Sequence, residues 1–288
     1  MKITKALITA AGPNQRKLPL QTLIDRDRKQ RTVLEILIKE IKNAGIDDIG
    51  IVIQPEDEKS YAEVLDSGLH SSIQFIHQNN RPGYGNALLS AEIFLNNEPF
   101  LHLVGDHLYV NKSGQNVAKK LVDAAEKHKC SISTVQSTRE NNIGNYGTVK
   151  AERLQGEPGL FQITRVHEKP TPTFAEQHLM VPGLRAGYYL CFYGMHVFTP
   201  LLLELLNKQA VDFPDKKLGL SESLDELSKR SKYLALEKND SRYDIGLDYG
   251  LLKAQLALSL SGKDRDFVLS ELLQFFVEKD LNNSRENQ

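Results

Sequence analysis

Apolar positions in the first third of the chain follow two spacings, one typical of buried strands and one typical of helices. Residues 7–11 form an apolar run that ends at Gly12, whereas 33–43 place their apolar side chains on one helical stripe. The same rhythm predicts strands at 49–53, 73–76 and 100–104, and helices at 56–65 and 85–95. Such alternation favours a doubly wound α/β sheet, mixed but mostly parallel, with a ligand crevice beyond the carboxyl ends of its strands.

The rest of the chain mixes strands and helices less regularly. We predict strands at 131–136, 147–151, 161–168, 187–193 and 233–237, and helices at 117–128, 199–207, 220–230, 247–259 and 267–277. No internal repeat, low-complexity tract or linker interrupts this pattern. We therefore predict a single domain over 1–282 with inserted β structure, followed by a polar tail at 283–288 that is frayed.

Composition narrows the class of protein. Thirty-six basic and 37 acidic residues leave a net charge of -1, without a basic block that would suit nucleic acid. The apolar stretch near the start is too short to span a bilayer. Cys130 and Cys191 lie far apart and outside any C-x-x-C pattern, so we expect reduced thiols. Together these features predict a cytoplasmic protein whose partners are small molecules rather than nucleic acid or membrane.

Candidate phosphate-binding chemistry follows the first strand. Gly12 allows backbone N–H groups to approach a phosphate closely, and Arg16 can neutralise the charge that develops on departing phosphates. An ordinary turn with a solvated arginine is the alternative, and for this segment alone it is favoured. Asn14 and Lys17 stand where the dinucleotide pattern G-x-G-x-x-G requires glycines, which argues against a dinucleotide-dependent oxidoreductase.

A second loop joins the strand at 73–76 to the helix at 85–95. Gly83 and Gly85 permit a flat backbone that can lie against a base or phosphate, and Gln78 offers a donor and an acceptor to the edge of a pyrimidine. A long flexible connection explains the same residues equally well.

Charged side chains follow other predicted strands. Asp106 comes directly after a buried strand, where a hard carboxylate suits Mg²⁺, although an aspartate there more commonly serves a turn. Asp244 offers a second carboxylate before a helix. Glu168 could accept hydrogen bonds from sugar hydroxyls while Lys169 binds a sugar phosphate, with an exposed ion pair as the alternative.

Two histidines flank the predicted magnesium ligand. His102 and His107 lack the i, i+4 spacing of helical zinc ligands, so we assign them structural roles.

Taken in order, these segments resemble the sugar-phosphate nucleotidyltransferase family, a GT-A-like, Rossmann-like group, and within it the UTP–glucose-1-phosphate uridylyltransferases. The resemblance runs over about 3–260, most of the chain. Its motifs are Ala10-Ala11-Gly12 with Arg16, Gly83-Tyr84-Gly85-Asn86-Ala87, Gly105-Asp106, Asn145-Tyr146-Gly147, Glu168-Lys169-Pro170, Ala186-Gly187-Tyr188 and Tyr243-Asp244-Ile245-Gly246. Each motif is weak alone, and their order and spacing carry the resemblance.

The resemblance implies a reaction in which a sugar 1-phosphate attacks the α-phosphorus of a nucleoside triphosphate with Mg²⁺ bound, so that UTP and glucose 1-phosphate give UDP-glucose and pyrophosphate. The residues implied as catalytic are Arg16, Asp106 and Lys169. Those implied to bind the nucleotide are Ala11, Gly12, Gln78, Pro82, Gly83 and Gly85. Those implied to bind the sugar phosphate are Asp106, Tyr146, Gly147, Glu168, Lys169 and Gly187, and the implied metal ligands are Asp106 and Asp244.

The first loop departs from the family pattern G-x-G-T-R and lacks the P-K pair that usually follows it. Pro13 also removes a backbone donor. The candidates to replace the missing lysine are Arg26, Arg28, Lys29 and Arg31. Three alternatives remain open: a thymidylyltransferase, another NDP-sugar pyrophosphorylase, or a catalytically weakened nucleotide-sugar-binding regulatory protein. Homo-oligomers are common in the family and are expected here.

Overall fold

A computed structural model describes residues 1–13, 16–65, 73–78, 83–110, 116–238 and 241–286. In these ranges nine strands form one sheet in the order β5-β4-β1-β6-β11-β8-β12-β10-β9, and two pairs, β2-β3 and β7-β13, lie outside it. The strands are β1 (Lys5–Thr9), β2 (Thr22–Ile24), β3 (Gln30–Thr32), β4 (Asp48–Ile53), β5 (Ile73–His77), β6 (Phe100–Val104), β7 (His107–Val110), β8 (Ser131–Arg139), β9 (Gly147–Arg153), β10 (Leu160–Glu168), β11 (Tyr188–Phe198), β12 (Tyr233–Glu237) and β13 (Ser241–Asp244).

Helices connect most of these strands. They are α1 (Val33–Asn43), α2 (Glu58–Glu63), α3 (Tyr84–Leu89), α4 (Glu92–Leu95), α5 (Val117–His128), α6 (Pro172–His178), α7 (Leu201–Asp212), α8 (Ser221–Arg230), α9 (Gly250–Leu260) and α10 (Arg265–Glu286). Helices α1 and α5 have the bounds that their periodicity predicts. Side chains fix both starts: Thr32 and Glu35 form a reciprocal capping box, and Asn116 accepts from the backbone N–H of Lys119.

The two faces of the central sheet are buried in separate apolar cores. Side chains of α1 and α5 pack in one core, which includes Leu34 and Leu121. Side chains of α3, α7 and α8 pack in the other, which includes Leu88, Leu206 and Leu224. Burial on both faces explains why the strands read as continuous apolar runs rather than as alternating patterns.

The sheet is mixed, as predicted, but the expectation that it is mostly parallel is wrong. Among the described residues, β1, β4, β5 and β6 pair in parallel, and so do β8 and β12, whereas the other five pairings of the nine are antiparallel. The inserted strands explain the difference. β9 and β10 are joined by a short hairpin loop, residues 154–159, in which the N–H of Leu154 donates to the carbonyl of Leu160, and so short a connection requires antiparallel strands.

Several boundaries also differ from the predictions. The helix expected over 85–95 is divided into α3 and α4, and at the break Ser90 donates both its N–H and its Oγ–H to the Asn86 carbonyl. Helix α10 extends to Glu286, beyond the start of the tail expected to fray at 283. No helix in the described ranges has the length and apolar character of a membrane span.

Candidate active site

A cavity of about 860 Å³ opens at the carboxyl ends of the parallel strands. Ala11 follows β1, Gln54 follows β4, Gln78 follows β5 and Asp106 follows β6, and all four line the cavity. Because parallel strands bring their carboxyl ends to one edge, four loops distant in sequence share this space.

The structure brings most of the predicted site residues to this cavity. Those that line it are Ala11, Gly12, Gln78, Gly83, Asp106, Tyr146, Gly147, Glu168 and Asp244. The predicted nucleotide, sugar-phosphate and metal groups are all represented in this set, so the geometry is consistent with one site. Their individual roles remain predictions.

Four predicted residues lie outside the lining. Gly85 is buried, and a Cβ there would lie 2.7 Å from the carbonyl oxygen of Gly219, so this glycine serves close packing. Lys169 is exposed with φ +47°, and Gly187 accepts a hydrogen bond from the Glu140 N–H. Arg16 is the fourth. Pro82 falls outside the described residues.

The acidic edge of the cavity, which we define as Asp106, His107 and Asp244, is formed where β6 ends. Strand β7 pairs antiparallel with β13, and this register sets Asp244 opposite His107. The N–H of Ile245 donates to the backbone carbonyl of Asp106 at 3.0 Å and fixes the two segments together. One potential ligand atom from each residue of the acidic edge lies within 4.8 Å of the others.

Two carboxylates and an imidazole at this spacing fit a divalent cation. Asp106 is 7% exposed. Burial, with a contribution from Asp244, raises the pKa of Asp106. Burial also acts to raise the pKa of Asp244, but its hydrogen bond with His107 and the charge of that ring hold the pKa below the usual value. A bound cation would offset the repulsion between the two carboxylates. His107 is therefore placed as a third candidate ligand, which corrects the purely structural role expected for it.

The glycine loop on one side of the cavity packs against the segment that precedes α8. Gly83 has φ +135°, and a Cβ there would lie 2.4 Å from the carbonyl oxygen of Leu218. That carbonyl accepts the N–H of Gly85 at 3.0 Å. The side-chain amide of Gln78 donates to the Gly83 carbonyl at 3.0 Å and to Asn86 at 3.2 Å, so Gln78 also orients this loop.

Another part of the cavity wall comes from β9, β10 and β11, which contribute Gly147, Glu168 and Phe192. Gly147 pairs with Glu168, and a Cβ at Gly147 would lie 2.8 Å from the Phe192 ring. Ser221 Oγ, at the start of α8, donates to Glu168 Oε2 at 2.5 Å and fixes this carboxylate at the wall. The site therefore offers a carboxylate acceptor and aromatic surfaces, a combination suited to a polyol.

Arg16, the cation expected in the first loop, does not line the cavity; we define the first loop by its described residues, 10–13, 16 and 17. Arg16 forms ion pairs with Glu56 and Asp57, and Tyr61 donates to its carbonyl at 2.6 Å. The hydrogen bond that Arg16 donates to the Glu56 carboxylate raises the pKa of Arg16. None of the four candidates for the missing lysine lines the cavity. Of these, Arg31 pairs with Asp25 at 2.7 Å and Arg28 with Asp264 at 2.8 Å.

Sequence reasoning missed several residues of the lining. Within the described residues, Lys217 and Arg242 supply its lysine and arginine side chains. Arg242 lies two positions before Asp244 on β13, and strand residues at i and i+2 share a face. That spacing was the available signal for Arg242. Gln54, whose amide donates to the Ala11 carbonyl at 3.0 Å, has no comparable signal because only the tertiary fold brings β4 beside the first loop.

Comparisons with known proteins agree with this arrangement. Residues 16–259 match the family model described as Nucleotidyl transferase. A UTP–glucose-1-phosphate uridylyltransferase of Streptococcus pneumoniae serotype 4 is 26% identical over 286 residues, covering 90% of this chain and 91% of the relative. Solved structures with the same fold include a UDP-glucose pyrophosphorylase complexed with UDP-glucose (TM-score 0.72, 22% identity, 88% of this chain and 98% of that chain) and a UDP-glucose pyrophosphorylase from Acinetobacter baumanii (TM-score 0.74, 20% identity, 95% and 99%).

Proposed function

This chain belongs to the nucleotidyl transferase family, and from that premise we propose that it converts UTP and glucose 1-phosphate to UDP-glucose and pyrophosphate. The observation that supports this most is the position of the acidic edge. Asp106 and Asp244 line one cavity together with the Gly83 loop and with the wall that carries Glu168. Two anionic substrates bound on these two sides would meet beside the carboxylates.

In the proposed reaction, an oxygen of the sugar phosphate forms a bond to the α-phosphorus of the triphosphate. The bond from that phosphorus to the bridging oxygen breaks, and pyrophosphate leaves with the electron pair. Asp106 and Asp244, with His107 beside them, would hold Mg²⁺, which when bound lowers the repulsion between the two anions. The protein itself positions and orients the substrates rather than forming a covalent bond to either.

Residues on the two sides have separate roles in this proposal. The Gly83 loop binds the nucleotide, and Gln78, whose amide donates to Gly83 and Asn86, holds this loop in place for the base. Tyr146, Gly147 and Glu168 bind the sugar phosphate, with Glu168 accepting from hydroxyl groups. Uridine as the base and glucose as the sugar are chosen because the curated relatives are named for these substrates.

A pyrophosphate-release assay over four nucleoside triphosphates and several sugar 1-phosphates, with Mg²⁺, tests the proposal. We expect the highest kcat/KM with UTP and glucose 1-phosphate, and mass spectrometry should identify UDP-glucose. A preference for dTTP or for another sugar phosphate would reassign the substrates. The absence of turnover with every pair would contradict an enzymatic role.

A second candidate function is a nucleotide-sugar sensor that binds without turnover. The first loop favours it, because Arg16 is held by Glu56 and Asp57 instead of lining the cavity. Calorimetric titration with UDP-glucose distinguishes the two functions when it is combined with the release assay. Binding without pyrophosphate release would support the sensor.

A further inference from the structure

Positive charge inside the cavity comes from an unexpected part of the chain. Two phosphorylated substrates need cations beyond the metal, since charge neutralisation and positioning dominate phosphoryl and nucleotidyl transfer. In the described ranges, Lys217 and Arg242 are the lysine and arginine residues that line the cavity. Arg16 is engaged in ion pairs instead.

Arg242 is held in place by three contacts. Its guanidinium carbon lies 4.1 Å from the centre of the Tyr146 ring and 5.8 Å from that of Tyr193. Its Nη1 donates to the carbonyl oxygen of Phe192 at 2.8 Å. Stacking and one hydrogen bond fix the plane of the guanidinium, so that little side-chain entropy remains to be lost on binding a ligand.

This arrangement leaves most of the donors of Arg242 available. An arginine has five N–H donors, and the bond to Phe192 uses one of them. In the part of the chain that the structure describes, no carboxylate oxygen lies within 4.0 Å of the Arg242 guanidinium. Arg242 is half-buried, and its charge acts on Asp106 and Asp244 only from beyond ion-pair distance, in contrast to Arg31, which pairs directly with Asp25 and Asp27.

The side of the cavity on which Arg242 lies identifies its ligand. Tyr146 and Phe192 belong to the wall that carries Glu168, and Arg242 shares its strand face with Asp244. Lys217 lies next to Leu218, which packs against the Gly83 loop on the nucleotide side. Arg242 therefore lies with the residues implied to bind the sugar phosphate, whereas Lys217 belongs to a segment that contacts both the Gly83 loop and, through Ser221, Glu168.

We propose that Arg242 binds the phosphate of the sugar 1-phosphate and compensates on that side for the cations that the first loop does not bring to the cavity. The inference rests on the proposed function, and it concerns a residue that contacts substrate directly. A planar guanidinium with its remaining N–H groups directed at phosphate oxygens gives charge-assisted hydrogen bonds, which a stacked lysine would reproduce only in part.

Calorimetric titrations test this assignment with two probes, inorganic phosphate alone and glucose 1-phosphate in the presence of Mg²⁺ and α,β-methylene UTP. We expect Arg242→Gln to weaken the binding of both probes roughly ten- to hundredfold, the loss typical of a hydrogen bond between charged groups. Arg242→Lys should lose less, and the affinity for α,β-methylene UTP should change by less than about threefold. Arg153→Gln is the matched control, since Arg153 stacks over Phe161 at 5.0 Å outside the cavity lining and should bind both probes as the wild type does.

Each outcome decides the assignment. Wild-type affinity of Arg242→Gln for both probes would overturn it, and so would an equal loss for the nucleotide analogue. If Arg242→Gln does not fold, as judged by thermal unfolding, Arg242→Lys carries the comparison, and undiminished binding by that variant would overturn the role of the guanidinium. Failure of the proposed function is separate: no turnover in the release assay together with Arg242-dependent phosphate binding would leave this assignment standing.

Discussion

The acidic edge and the first loop border the same cavity, but the fold constrains them differently. Asp106 and Asp244 are brought together by the β7–β13 pairing and by the backbone bond from Ile245 to Asp106. Arg16, in contrast, is 28% exposed in its side chain and is held by carboxylates of another loop. Strand pairing therefore fixes Asp106 and Asp244 through the backbone. The position of the Arg16 side chain depends instead on the carboxylates with which it pairs.

The largest expected effect is at the acidic edge. Asp106→Asn should lower kcat/KM for the proposed reaction by about 10² to 10³, the loss typical when a main electrostatic stabiliser is removed. Steady-state kinetics with Mg²⁺ measures it, and Asp123→Asn, which alters only an exposed pair with Lys119, is the control. Activity like that of the wild type would show that this edge does not hold the catalytic metal.

The same variant should become more stable while it loses activity. Because burial raises the pKa of Asp106, the folded chain binds its proton more tightly than the unfolded chain. Stability from this group is therefore full below the unfolded pKa of about 3.9 and is lost as the pH rises from there through the raised folded pKa. In the absence of metal at pH 7, we expect a higher Tm for Asp106→Asn than for the wild type, and an unchanged or lower Tm would contradict this argument.

A second large effect is expected at the glycine loop. In Gly83→Ala, the new Cβ would meet the Leu218 carbonyl at 2.4 Å, and φ of +135° is unfavourable for any residue with a Cβ. We expect a loss of about 1–3 kcal/mol in stability, the usual range for such backbone strain, and at least a tenfold higher KM for UTP. Gly144→Ala is the control, since a Cβ there meets nothing within 4 Å.

The sequence predicted the parallel half of the fold well because local and tertiary signals agree there. The bounds of α1 follow from its apolar stripe and from the capping box of Thr32 and Glu35, both of which can be read locally. The antiparallel half depends on pairing between distant segments. Strand β11, for example, pairs with β6, β8 and β9, and nothing in its own residues specifies these partners.

The site residues divide in the same way, into those that a local motif identifies and those whose contacts depend on the fold. Asp106 and Gly83 lie in motifs whose family order can be recognised, and the family assignment is confirmed by the match over 16–259. Arg16 belongs to such a motif as well, but its ion pairs with Glu56 and Asp57 depend on the fold. A motif therefore identified the position of Arg16, whereas the direction of its side chain depended on charges that the motif does not contain.

Two buried histidines make the stability of the wall beside the acidic edge depend on pH. His196 is 3% exposed and lines the cavity near the acidic edge, and it pairs across strands with the fully buried His102. Burial lowers the pKa of His196 to about 3 and lowers that of His102 as well. For a depressed histidine pKa, the folded chain binds fewer protons than the unfolded chain, so stability is full above about pH 6.5 and is lost as the pH falls.

We accordingly expect the free energy of unfolding to fall between pH 6.5 and 4, by up to about 1.4 kcal/mol per pH unit for each of these histidines. Urea unfolding across this range measures the slope. His196→Asn keeps a polar group near Ser133, the partner of its Nδ1, and should make the slope shallower. An identical slope in the variant would show that other groups control acid unfolding.

The smallest expected effect is at the first loop. Its size shows whether Arg16 stays paired with carboxylates during turnover or binds the triphosphate. If Arg16 remains paired with the exposed Glu56 and the buried Asp57 during turnover, Arg16→Gln removes pairs that do not contact substrate and should change kcat/KM by no more than about fivefold. Kinetics over a range of salt concentrations measures this effect, with Arg230→Gln, which alters an exposed pair with Glu226, as the control. A hundredfold loss at unchanged Tm would mean that Arg16 leaves its carboxylates to bind the triphosphate. The difference between the acidic edge and the first loop would then be one of timing, with the edge preformed and the loop completed by substrate.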